Sequence, residues 1–307
     1  MHRRTVLMGL AASALAFNLP AAFARTASLN LLATTYPVYQ LVRNIARGVD
    51  GVQVELLIPA GTGCPHDYAP SPADMQKLAR ASIIILNGLG MELMLDENIR
   101  RLNLPVVLAS VDVSTLPSLI RDNLQDKEDH SHTHALNPHI FAAPGRAAQM
   151  TRSIALQLGK LVPRHAAAFA ANASAYAERL DGLAARLKNA GAPFAAAGVI
   201  LYHDALAYLA DDAGIPVLDV VQENEEQAPT AARLMAVVRE IARRRPALLI
   251  GERQFPADAM LTLARESGVP LIFLDSGASG DADAPLSAYE DCMNANIRAL
   301  EAAGARK

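Results

Sequence analysis

Between Pro163 and Pro193 the chain carries an alanine-rich stretch, residues 164–189, with no proline and no interior breaker beyond Gly182. Such a run reads as one continuous helix, and at ~1.5 Å rise per residue it spans roughly 35–40 Å, about the height of a small domain. On either side, short apolar runs alternate with segments of helical apolar spacing. That order packs as parallel sheets covered by helices. The predicted fold is therefore α/β, with two parallel-sheet lobes and surrounding helices joined by one long linking helix. The boundaries are an N-terminal lobe over 25–163, the linking helix over 164–190 and a C-terminal lobe over 191–307.

In the first lobe, strands are expected over 29–33, 52–58, 82–86 and 105–109. Helices are expected over 36–46, 72–81, 91–101 and 145–161. Ser71 stands as N-cap of the second helix with Pro72 at its first position. In the second lobe the strands fall over 197–201, 216–221, 247–251 and 269–274, and the helices over 205–213, 229–244, 257–268 and 286–303. Residues 121–137 break the periodicity and read as an exposed polar loop. The run Gln222 to Glu226 reads as an acidic surface turn.

With 28 Lys+Arg against 31 Asp+Glu, the 307-residue chain has no basic excess of the kind that neutralises a phosphate backbone. Nucleic acid is excluded as a partner on that ground. Residues 1–24 differ from the rest: Arg3 and Arg4, an apolar run over 6–16, then Ala22-Phe23-Ala24 with small residues where a signal peptidase cuts. They read as an export signal cleaved near Ala24, which places the mature chain in the periplasm. An uncleaved anchor would need about 20 consecutive apolar residues, and Asn18 and Pro20 interrupt the run. Removing the two signal arginines leaves 26 basic against 31 acidic residues, a net charge of −5.

Histidine placement carries the chemistry. His66 follows Pro65 just past the second strand, and His139 follows Asn137-Pro138; a preceding proline holds the backbone extended. His203 lies where a strand ends and a helix begins, and Asp275 directly follows the last strand. In open parallel sheets the carboxyl ends of strands line the binding crevice. His66, His139, His203 and Asp275 would together supply three nitrogens and one oxygen, a complete tetrahedral shell for Zn²⁺.

The sequence resembles the metal-specific solute-binding proteins of ABC importers for zinc and manganese, the zinc-binding branch of their cluster A-I type. The resemblance runs through Thr34-Thr35-Tyr36-Pro37, His66 with Tyr68, Pro70 and Pro72, Asp74 and Leu78, and Asn87-Gly88-Leu89 with Glu92. It continues through Asn137-Pro138-His139-Ile140-Phe141, Tyr202-His203-Asp204-Ala205 with Tyr208, and Leu274-Asp275-Ser276. It implies the same four ligands, a long helix that limits hinge motion, a membrane permease as partner and a monomeric receptor. Asn137 stands where the family commonly has aspartate. Zinc-specific members carry a His- and Asp-rich loop before the second ligand, and Asp129-His130-Ser131-His132-Thr133-His134 is similar to a short version; His130, His132 and His134 would collect zinc weakly. Without that resemblance the loop reads as a solvated surface segment.

Four ligands and no helical His-Glu pair favour a receptor over a zinc hydrolase, which would keep one position open for water. No enzymatic activity is expected. A periplasmic zinc buffer or metallochaperone would use the same site, manganese or iron are alternative ions, and a periplasmic zinc chaperone is a further candidate partner. Glu252 is expected either as an acceptor behind the ligands or as a simple cap. Whether Cys64 and Cys292 pair is open.

Overall fold

The structure, a computed structural model, describes residues 28–62, 65, 68–120, 136–223 and 228–305. The proposed signal, His66, Cys64 and the His130–His134 loop lie outside them. Among the described residues the strands form two four-stranded sheets in which every pair runs parallel. The first contains β1 (Leu29–Ala33), β2 (Val52–Leu56), β3 (Ile83–Leu86) and β4 (Val106–Leu108) in the order β2-β1-β3-β4. The second contains β5 (Val199–Leu201), β6 (Val217–Val220), β7 (Leu248–Glu252) and β8 (Leu271–Leu274) in the order β6-β5-β7-β8. The two halves thus repeat one topology. In each, the winding reverses between the first and third strands, so β1 and β3, and likewise β5 and β7, flank a switch point where a crevice opens.

Helices α1 (Tyr36–Ile45), α2 (Pro72–Arg80), α3 (Asp96–Leu102) and α4 (Pro144–Leu161) belong to the first half. Helices α6 (Ala207–Asp212), α7 (Ala231–Arg244), α8 (Asp258–Ser267) and α9 (Ala288–Gly304) belong to the second. Between them runs α5 (Ala166–Gly191), 26 residues long. Helix α2 starts at the N-cap Ser71 that the sequence predicts, its Oγ accepting the Asp74 N–H at 3.3 Å, and the structure adds the reciprocal bond in which the Asp74 carboxylate accepts the Ser71 N–H at 2.8 Å. Among the described residues no helix is long and apolar enough to cross a membrane.

Strand alternation divides the core. Leu31, Ile83 and Ile85 face α4 and α5, while Leu32 and Ile84 face the opposite side with Leu78 and Leu95. In the second half Val199, Leu248 and Ile250 face the long helix, and Ile200 and Leu249 pack with Val237, Ile241 and Leu263. Helix α5 buries Phe169, Ala173, Tyr176, Leu180, Leu183 and Leu187, a stripe at three- and four-residue spacing. Its ridge unites the inner faces of both sheets in one continuous apolar cluster.

Past β8 the chain returns to the first half. Gly280 N donates to the Ala60 carbonyl at 2.9 Å, Arg43 Nη1 donates to the Ala284 carbonyl at 2.7 Å, and Asn44 Nδ2 donates to the Leu286 carbonyl at 3.0 Å. Glycine is required at 280, because a Cβ there would overlap the Tyr36 ring.

The helix expected over 91–101 starts later. Gly88, Leu89 and Gly90 are consecutively left-handed (φ 85°, 57° and 82°), and only a short 3₁₀ turn, Leu93–Leu95, precedes α3. The detour returns the buried Glu92 carboxylate to the switch point of the first sheet. There it accepts the Thr34 hydroxyl at 2.7 Å, the Asn87 N–H at 2.6 Å and the Gly88 N–H at 3.1 Å, joining the ends of β1 and β3. The helix expected over 205–213 likewise opens with a 3₁₀ turn, Asp204–Leu206.

Leu180→Ala should lower stability by about 2–5 kcal/mol, and thermal unfolding should remain a single transition because one cluster serves both sheets. Two resolved transitions by calorimetry would contradict a shared core. Burial pushes the Glu92 carboxyl up to about 7 from its usual 4.5, outweighing the three donors. A raised folded-state value means the proton is held in the folded chain and lost from the unfolded one across that interval. The stability Glu92 contributes is therefore complete below pH 4.5 and is lost as pH rises through about 7. Denaturant titrations of metal-free protein should show the advantage of the parent over Glu92→Gln shrinking across that window.

Candidate metal centre

At the second switch point, β5 and β7 pair with Leu201 opposite Ile250, and the Tyr202 N–H donates to the Ile250 carbonyl at 2.9 Å. The next residue, His203, is buried, and its Nδ1 accepts the Ala205 N–H at 3.0 Å. A backbone N–H only donates, so Nδ1 presents its lone pair there. The neighbouring strand ends in Glu252, also buried, whose Oε1 lies 3.7 Å from His203 Nδ1. Glu252 pairs with Leu274 of β8, so Asp275 stands one residue beyond the sheet.

His139 reaches the same place from the first half. Asn87, at the end of β3, donates from Nδ2 to the Pro138 carbonyl at 2.9 Å and so fixes the backbone just before His139. The His139 and His203 rings meet edge-on with centroids 5.2 Å apart. Asp204 Oδ1 lies 3.9 Å from His139 Nδ1 and 3.9 Å from His203 Nε2. Its other oxygen, Oδ2, accepts the Ser118 hydroxyl at 2.9 Å and the Leu119 N–H at 3.0 Å.

Three buried atoms around this pair, His203 Nε2, Asp204 Oδ1 and Glu252 Oε1, have no hydrogen-bond partner among the described residues. Buried polar groups are nearly always paired. With Nδ1 accepting, neutral His203 carries its proton on Nε2, so Nε2 stands as a donor 3.9 Å from Asp204 Oδ1, and the oxygens of Asp204 and Glu252 stand as the unpaired acceptors. Burial holds His203 below the ordinary imidazole range, against the opposing pull of Asp204. Burial also pushes Glu252 well up, reinforced by the charges of Asp204 and Asp275. Both effects disfavour fixed charge without a counter-ion. A small cation is the chemistry that imidazole nitrogens and carboxylate oxygens accept together, and His203 joins such a set once its Nδ1 releases the Ala205 N–H and a ring lone pair is freed.

Asp275 is held at several points. Its Oδ1 accepts Gln254 Nε2 at 2.5 Å and the Gly277 N–H at 2.8 Å, and its backbone N–H donates to Asn296 Oδ1 at 2.9 Å. Cys292 forms no disulfide among the described residues, and its Sγ lies 3.7 Å from the Asp275 carbonyl oxygen. Burial pushes that thiol far above its ordinary range, which makes it a poor nucleophile.

Of the four residues singled out from sequence, the structure brings His139 and His203 together, with Asp275 after β8, two strands across the sheet from the end of β5 that precedes His203. His66 lies outside the described residues, although Pro65 before it is buried. Among the described residues no three His, Cys, Asp or Glu side chains form a group set to hold a metal ion. His130, His132 and His134 also lie outside them, but the ends of their loop meet in an antiparallel bridge, Pro117 to Leu136, beside the Ser118 and Leu119 contacts with Asp204.

Sequence reasoning did not find Asp204. Its signals were its place next to His203 at a strand end and its presence in the Tyr202-His203-Asp204-Ala205 segment of the resemblance, neither of which gave it a role. Gln222, expected on the surface, is buried, because its N–H continues the β5–β6 ladder by donating to the Tyr202 carbonyl at 2.9 Å.

The zinc-binding lipoprotein AdcA of Streptococcus pneumoniae is 28% identical over 280 residues, covering 89% of this chain and 55% of the relative. The chain thus spans about half the length of these streptococcal relatives. The high-affinity zinc uptake system protein ZnuA of Yersinia pestis is 26% identical over 297 residues, covering 90% of this chain and 92% of the relative. Among solved structures, the solute-binding protein FpvC of Pseudomonas aeruginosa in complex with Ni²⁺ superposes with a TM-score of 0.76 at 29% identity, covering 91% of this chain and 97% of that one. A second FpvC structure, in complex with Mn²⁺, gives the same score. The profile of the ZnuA family, zinc-uptake complex component A periplasmic, matches residues 31–303, and the chain belongs to that family of binding proteins.

Proposed function

We propose that the protein is a periplasmic zinc receptor that captures Zn²⁺ between its two halves and delivers it to the membrane permease of an ABC importer. The ion is the cargo, and its ligands are His66, His139, His203 and Asp275. The observation that carries this reading is the meeting of His139 and His203, from opposite halves, with the unpaired buried carboxylate oxygens of Asp204 and Glu252 beside them. An ion held at that junction bonds to both sheets at once, so loading is coupled to the relative position of the halves. In this proposal, residues 1–24 direct export and are removed near Ala24, and the receptor works as a monomer. The segment containing His130, His132 and His134 gathers zinc weakly before transfer.

A second ion is favoured by one observation: the similar FpvC structures hold Ni²⁺ and Mn²⁺. The ligand types argue for zinc over manganese. Three imidazoles with one carboxylate suit Zn²⁺, and in the divalent series, which peaks at Cu²⁺, nitrogen sites bind Zn²⁺ more tightly than Mn²⁺. A zinc buffer would share the site and differ only in having no permease, which binding to the cognate membrane complex distinguishes.

His139→Ala and His203→Ala should each weaken zinc binding beyond the roughly 10–100-fold that loss of a residue behind the ligands costs. Competition with a chromogenic chelator reads this, and parent-like affinity in either variant removes that residue from the ligand set. Direct competition between Zn²⁺ and Mn²⁺ should favour zinc in the parent. His203→Glu should shift the ratio toward manganese, and an unchanged ratio would show that His203 does not select the ion.

A further inference from the structure

We propose that Asn137 is a positioning residue that sets the tautomer of His139 and ties it to the His203 strand end. The inference rests on the metal-site reading above and deepens it. Asn137 is fully buried. Its Oδ1 lies 2.9 Å from the His139 backbone nitrogen and 2.9 Å from His139 Nδ1, and its Nδ2 lies 2.8 Å from the Asp204 carbonyl oxygen.

The protons on this side chain follow from its partners. The His139 backbone N–H can only donate, so the Asn137 atom facing it is the oxygen; the Asp204 carbonyl can only accept, so the atom facing it is the amide nitrogen. These two bonds fix the amide orientation independently of each other. Because Oδ1 accepts, His139 Nδ1 must carry the proton that points at it, and the ring lone pair belongs to Nε2. Metal-binding histidines are commonly held in this way, through the ring nitrogen that does not face the ion.

His203 has the opposite arrangement, since its Nδ1 already accepts the Ala205 N–H at 3.0 Å. Of the two rings, His139 is thus the one preset to ligate through Nε2. Asn137 is held in turn by its backbone, whose N–H donates to the Leu116 carbonyl at 2.9 Å and whose carbonyl accepts the Tyr208 hydroxyl at 2.8 Å. Tyr208 lies on α6, so three bonds from this one residue reach the loop before it and the opposite half. An aspartate here would keep the acceptor for His139 and bring a carboxylate oxygen against the Asp204 carbonyl. The amide in this chain gives up some strengthening of the imidazole and gains a donor across the junction.

The test uses the full mature chain. In the metal-free parent, long-range ¹H–¹⁵N spectra should show His139 as a single tautomer protonated at Nδ1. Protonation at Nε2 overturns the proposal whether or not any variant folds. Asn137→Ala should give a mixture of tautomers and bind Zn²⁺ about 10–100-fold more weakly by chelator competition. Asn137→Asp should restore the single tautomer and bring affinity back to within a few-fold of the parent, while lowering Tm through loss of the bond to Asp204. Parent affinity in Asn137→Ala, or an unchanged tautomer there, refutes the positioning role. Parent affinity in His139→Ala refutes the metal-site reading instead, and leaves the metal-free tautomer measurement to decide on Asn137 separately.

Discussion

The packing of α4 and α5 against each other and against the inner faces of both sheets is the interaction on which the rest of the molecule depends. Phe169, Tyr176, Leu180 and Leu187 of α5 are buried in the same apolar cluster as Leu31 and Ile85 on one side and Leu248 and Ile250 on the other. Burial of apolar area contributes about 25 cal/mol per Å², and separating the sheets would open the largest of the apolar clusters among the described residues. The strand ends of the two halves therefore stay in one relation to each other. That relation makes it meaningful for a histidine from one half and a histidine from the other to act as a pair.

At the junction the acids are held by the chain around them, and Asp204 and Glu252 each keep one oxygen unpaired. Asp204 uses Oδ2 on Ser118 and Leu119 and leaves Oδ1 between the rings. Asp275 uses Oδ1 on Gln254 and Gly277. Glu252 is buried with an unpaired oxygen, and its elevated proton affinity comes first from that burial and then from the neighbouring charges of Asp204 and Asp275. Preorganisation of this kind lowers the conformational entropy that binding would otherwise cost.

Much of this could be read from the chain because it rests on local pattern. Apolar runs marked the strands, and since crevices form at strand ends, His203 and Asp275 could be located from where those runs stop. The N-cap Ser71 before Pro72 was equally local, while the answering bond from Asp74 that closes the cap appears only in the structure. What was not legible depends on contacts between distant residues. Asn137 meets Asp204 only because the two sheets share a core, and nothing near Asn137 in sequence announces a need for a donor there. Glu92 turns inward because Gly88, Leu89 and Gly90 adopt left-handed backbone, a conformation that the leucine does not advertise. Gln222 looked like part of an acidic surface turn because composition cannot show that a ladder continues one residue further.

The return of the chain past β8 gives the molecule the mechanics of a closed frame. Covalent connection through α5 joins the halves along one edge. The bonds to Ala60, Arg43 and Asn44 join them again through the segment before α9, and those at Asn137, Ser118 and Leu119 join them beside the histidines. A structure latched at one edge swings, whereas one braced in three places can only shear or twist by small amounts. Each brace broken costs about 0.5–1.5 kcal/mol net, so a wide gape would sacrifice several at once. Cargo exchange in such a frame is set by small torsions and by side chains stepping aside, and the speed of unloading becomes a property of the braces as much as of the bonds to the ion.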